Sequence, residues 1–98
     1  MPVDALQSNG LATPIPQDHV IFTDLDGVEG VLVDLNTKKY YQLNETATLV
    51  WRRLEKRMSI DNIVKEMTEL YDVSPIHAQS SLENLLRRLY TQKLVQPG

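Results

Sequence analysis

The 25 residues from Gly30 to Leu54, GVLVDLNTKKYYQLNETATLVWRRL, leave no room for a linker between strand and helix, and this limits the folds open to the chain. Val31, Val33 and Leu35 alternate with Leu32 and Asp34, the period of two that marks a half-buried strand. Asn36-Thr37-Lys38 interrupts the alternation with turn chemistry, and Lys39-Tyr40-Tyr41-Gln42-Leu43 resumes it with aromatics suited to a pleated surface. The spacing predicts a β-hairpin. Asn44 follows at once as a helix N-cap, and Glu45 in the first turn complements the positive end of the helix dipole. Ala47, Val50, Trp51, Leu54 and Met58 then form one apolar stripe, with Trp51 as its anchor.

The flanking segments complete this unit. His19–Asp24 is a short β-rich run ended by Leu25-Asp26-Gly27, whose Asp-Gly pair suits a tight hairpin turn. Asp24, Asp26 and Glu29 crowd that turn without the spacing of a calcium loop and are read as a solvated turn. After the first helix, Ser59 caps a second with the stripe Ile60, Ile63, Val64, Met67 and Leu70. Ser74-Pro75 caps a third, with Ala78, Leu82, Leu85, Leu86 and Leu89 on its apolar side. The expected fold class is α+β, a winged-helix-like domain with a three-stranded antiparallel sheet followed by three helices. Residues 1–17 hold three prolines and no apolar period and are expected to be a flexible N-terminal arm, with the domain proper at residues 18–98.

Several functional classes find no support in this composition. At 98 residues the core is small, and without cysteine there are no disulfides, thiolate nucleophiles or Cys-based zinc sites. His19 and His77 lie far apart and make a poor metal set, so no metal or other cofactor is expected. The four glycines form no phosphate-cradling loop, and Ser80-Ser81 near His77 do not set up a base-oriented nucleophile, so the protein is not expected to be an enzyme. No apolar run approaches a membrane span and the N-terminus lacks the positive region of a signal peptide; the expected location is the cytoplasm.

A winged-helix DNA-binding regulator is the alternative, because the second and third helices resemble a helix-turn-helix unit. Charge argues against it. Residues 1–37 carry six acids and no Lys or Arg, while residues 38–98 carry ten bases against seven acids, and the third helix begins with the nearly uncharged Ile76-His77-Ala78. A binding module fits better. If the strands pair in sequence order, Lys39–Leu43 is an edge strand whose unpaired backbone groups can accept an extended peptide as a further strand.

The run Val31-Leu32-Val33-Asp34-Leu35, the run Tyr40-Tyr41-Gln42-Leu43-Asn44-Glu45-Thr46-Ala47 and Trp51 together resemble the PqqD-like family over roughly residues 19–95. Where the family often has Asp-Gly after the first helix and Gly before the last Leu, this chain has Glu55-Lys56-Arg57 and Gln92-Lys93. The resemblance implies a non-catalytic adaptor that binds the leader segment of a ribosomally made precursor peptide and presents it to a modifying enzyme. That enzyme would be a radical S-adenosylmethionine enzyme, a leader peptidase or a cyclase, in PQQ or lasso-peptide-type biosynthesis. It also implies a groove between the third strand and the third helix. Carried onto this sequence, the peptide-binding residues are Lys39, Tyr40, Tyr41 and Gln42 on the strand and Ala78, Ser81, Leu82, Leu85 and Arg88 on the helix.

Overall fold

Two acidic turns shape the sheet before any packing is considered. The computed structural model describes residues 13–98. Its elements are β1 (Ile15–Pro16), β2 (Val20–Asp24), β3 (Gly30–Asp34), β4 (Lys39–Leu43), α1 (Glu45–Glu55), α2 (Ile60–Tyr71), α3 (Pro75–Thr91) and β5 (Val95–Gln96). Between β2 and β3, Asp24 accepts the Gly27 N–H at 2.7 Å, and one Asp26 oxygen accepts the Val28 and Glu29 N–H groups at 2.9 and 2.7 Å. These backbone donors, Glu29 foremost, hold the Asp26 carboxyl below the ordinary carboxylate range. Between β3 and β4 the buried Asp34 accepts from Asn36 at 2.9 Å and Thr37 at 3.2 Å. Burial pushes its pKa up, yet the N–H groups of Thr37 and Asn36, together with His19 at 3.8 Å, outweigh this and keep it below the ordinary value.

The antiparallel order is β2-β3-β4, so the three expected strands and the helices after them have the predicted α+β arrangement. The face of β3 that enters the core carries Gly30, Leu32 and Asp34, while Val31 and Val33 are half-buried on the other side. Gly30 is required where it stands. A Cβ there would collide with the Phe22 ring, and that ring also carries the Arg52 guanidinium 5.0 Å from its centroid. Arg52 in turn reaches Asp24 at 3.0 Å, joining α1 to β2.

Each helix starts on the cap that its sequence supplies. Asn44, Ser59 and Ser74 accept the N–H of Ala47, Asn62 and His77, and Pro75 occupies the first turn of α3. Two helices also end alike. The Met58 N–H bonds the Arg53 carbonyl and the Leu94 N–H bonds the Leu89 carbonyl, each across a residue with left-handed backbone, Arg57 at φ 59° and Lys93 at φ 60°. These are Schellman turns, in which glycine usually holds the left-handed place. They fall on the two segments where the chain departs from the glycines of the family it resembles.

Val50, Trp51 and Leu54 of α1, Ile63 and Met67 of α2, and the five expected stripe residues of α3 join Leu32, Leu43 and Leu94 in one core. Trp51 is 1% exposed, and its indole N–H donates to Glu55 at 3.1 Å. Arg53 clamps α1 to α2 through a two-pronged pair with Glu66, 2.7 Å on each arm, and this hydrogen bond holds the Glu66 carboxyl below its ordinary range.

Two expectations need correction. Leu70, assigned to the buried stripe of α2, is 59% exposed, because Tyr71, four residues after Met67 and eight after Ile63, continues their face against the core and leaves Leu70 at its edge. The loose arm expected through Gln17 does not extend that far. Ile15 and Pro16 pair with Gln96 and Val95, the Gln17 N–H bonds the Leu94 carbonyl, and Pro14 is fully buried. The extended backbone that Pro14 and Pro16 impose is the conformation that this pairing needs. The rest of the expected arm, residues 1–12, lies outside the described residues.

Trp51→Ala should cost about 3–5 kcal/mol in chemical denaturation, the range for deleting a large buried aromatic. Near-native stability in the variant would contradict the burial of Trp51. Arg57→Gly and Lys93→Gly should each raise stability by up to about 1 kcal/mol, since glycine adopts left-handed backbone without the Cβ clash. A lowered melting temperature in both would contradict that account of the two helix ends.

Candidate functional site

The pairing of β2 with β3 determines what β4 has to offer. The Leu35 N–H donates to the His19 carbonyl and the Leu25 N–H to the Glu29 carbonyl, so the odd-numbered residues of β3 turn their backbone groups towards β2. Gly30, Leu32 and Asp34 therefore serve β4, where their partners are Leu43, Tyr41 and Lys39. The N–H and C=O of Tyr40 and Gln42 point the other way. Among the described residues β4 has β3 on one side and no strand on the other, so these groups line an open edge.

Beside that edge runs a groove. β4 packs on β3 and α1, whereas α3 packs on α2 and β5, and clefts open between β4 and α3. The groove consists of two adjoining clefts. One, of about 350 Å³, is lined by Tyr40–Asn44 and Ala47 on one side and by Leu85, Arg88, Leu89, Gln92 and Leu94 on the other. The second, of about 320 Å³, continues past the end of β4 over Thr46, Met67, Ser81, Leu82 and Asn84. Asn44, Ala47, Leu85 and Arg88 border both. From Ser81 to Gln92 the helical wall measures about 16 Å at about 1.5 Å per residue, the length of about five residues of extended chain.

Seven of the nine residues expected at a peptide site line this groove: Tyr40, Tyr41, Gln42, Ser81, Leu82, Leu85 and Arg88. The other two do not. Ala78 is fully buried among core side chains, and Lys39 is exposed at the start of β4 beside the turn. Leu82 and Leu85 are buried and also line the clefts, so core and groove wall are the same side chains here. Tyr41 and Leu43 turn inwards, whereas Tyr40, 73% exposed, stands on the outer face of the sheet in a row with Ile21 and Val33.

Among the lining residues that sequence reasoning did not single out are Asn44, Ala47, Met67, Gln92 and Leu94. Asn44 and Ala47 had a signal, since a helix that starts directly on an edge strand must put its first turn at the end of that strand. Met67, Gln92 and Leu94 had none, because their place depends on how the helices pack. Arg88 is the one charged side chain among those lining the two clefts. Among the described residues no three His, Cys, Asp or Glu side chains gather as a metal site, and no helix is long and apolar enough to cross a membrane.

The family model for coenzyme PQQ synthesis protein D (PqqD) matches residues 29–95, and the chain belongs to that family. Its fold is similar to that of two solved structures. One is TbiB1 in complex with the TbiA(beta) leader peptide, with a TM-score of 0.78 and 27% identity over 83% of this chain and 93% of that one. The other is lasso peptide synthetase B1 complexed with the leader peptide, with a TM-score of 0.81 and 26% identity over 88% of this chain and all of that one. None of the curated proteins matches the chain.

Proline substitutions should read out the ladder directly. Tyr41→Pro removes an N–H on the side of Leu32 and should cost about 1–3 kcal/mol, the range for an unmatched buried acceptor. Tyr40→Pro and Gln42→Pro remove N–H groups that face outwards and should retain native circular dichroism and most of the stability. The reverse ranking in melting experiments would show that the outward set was assigned wrongly.

Proposed function

We propose that this protein is a non-catalytic adaptor that binds the leader segment of a ribosomally made precursor peptide as a strand added to β4 and presents it to a modifying enzyme. The observation that carries this reading is the coincidence of the open backbone groups of Tyr40 and Gln42 with a groove long enough for about five extended residues. Backbone bonds on one side give affinity, and the apolar wall of Leu82, Leu85 and Leu89 on the other gives selectivity. Membership of the PqqD family and the leader peptides bound to both similar structures support the same reading. The peptide-contacting set is Tyr40, Tyr41, Gln42, Ser81, Leu82, Leu85 and Arg88, extended by Asn44 and Ala47 at the junction of the clefts. The reaction itself belongs to a partner in the cytoplasm: a radical S-adenosylmethionine enzyme, a leader peptidase or a cyclase.

Titration with the precursor peptide whose gene neighbours that of this protein tests the reading. Gln42→Pro and Tyr40→Pro should weaken binding at least tenfold while the fold persists, and Leu85→Asp should do the same by placing a charge in the wall. Salt-sensitive binding to random duplex DNA with no response to the peptide would overturn the adaptor and restore a winged-helix DNA binder.

A further inference from the structure

Arg88 is placed unlike the other arginines of the helices. Arg52 is bonded to Asp24, Arg53 to Glu66 and Arg87 to Asn84. Among the described residues Arg88 has no side-chain acceptor, yet it stands on the groove wall where the two clefts meet, one turn from the buried Leu85 and next to Leu89. No acidic side chain lines either cleft. A strand laid against β4 would cover part of this guanidinium. An apolar residue opposite it would leave its donors without acceptors, and a basic residue would add repulsion.

We propose that Arg88 is the specificity-determining residue of the groove. It selects a peptide carrying Asp or Glu at the inward position midway along the bound segment, with apolar side chains two residues to either side. The spacing follows from the strand period. Inward side chains recur every second residue, so a segment of about five residues turns about three inwards. The outer two then meet the apolar walls, Leu89 and Leu94 in one cleft and Met67 and Leu82 in the other, while the central one meets Arg88. A carboxylate there can take two N–H groups of the guanidinium at once, a geometry that Lys would not reproduce. This proposal rests on the strand-addition reading above.

The test selects a displayed library of random ten-residue peptides on the full-length protein and on its R88Q, R87Q and Q42P variants. The wild-type protein and R87Q should enrich one acidic position flanked at two residues by apolar ones. R88Q should keep the apolar pair and lose the acid. A peptide from the enriched pool and its Glu→Gln counterpart, titrated by fluorescence anisotropy, should differ about five- to tenfold on the wild-type protein and bind R88Q equally. Enrichment without an acidic position, or an acidic preference that survives in R88Q, overturns the role of Arg88 while leaving strand addition intact. Peptides whose binding is unaffected in Q42P, or no enrichment on any form, overturn strand addition and this proposal with it.

Discussion

One register pairing, Leu32 opposite Tyr41, decides the chemistry of the whole edge. With Leu32 buried, the pleat places Gly30 and Asp34 on the same face and commits Tyr41 and Leu43 to it. A slip of β4 by one residue would turn Tyr41 and Leu43 to the outer face and bring Tyr40 and Gln42 inwards. It would also exchange the backbone groups, so that Tyr41 rather than Tyr40 and Gln42 faced the open side. The Asp34 turn guards against such a slip, because its carboxylate is engaged by two N–H groups at the tip of the hairpin.

The junction of β4 and α1, which has no linker, borders both halves of the groove. Leu43 is buried and Asn44 already caps the helix, so the first turn of α1, with Thr46 and Ala47, stands beside the end of β4 and lines the clefts. Trp51 fills the centre of the core and Arg53 ties α1 to α2, which in turn packs on α3. The wall that faces β4 is thus held by the same packing that stabilises the domain. This explains why Leu82 and Leu85 belong to both.

Features set by neighbours in sequence were legible beforehand. The three caps, the two hairpins and the apolar periods of the helices all depend on residues within a turn or two, and the elements form there, save that α1 ends at Glu55, before the Met58 assigned to its stripe. Seven groove residues were legible for the same reason, since an edge strand and the stripe border of a helix are local patterns joined by the family resemblance. The pairing of Ile15 and Pro16 with Val95 and Gln96 was not, because two residues with a proline carry no strand signal and their partners lie some eighty positions away. Ala78 was misplaced since the border of a stripe depends on how far the helix is rotated towards the sheet. Arg57 and Lys93 hid their helix ends, as neither residue type announces left-handed backbone.

The outer face of the sheet, with Ile21, Val33 and Tyr40 in one row across three strands, bears on what happens after capture. A guest strand beside β4 would lengthen that row by one member. Alternate side chains of the guest would then sink into the groove, while the intervening ones would line up next to Tyr40 and stay visible from solvent. The precursor is in effect divided lengthwise: one set of side chains answers to the adaptor, and the other is left for the enzyme that receives it.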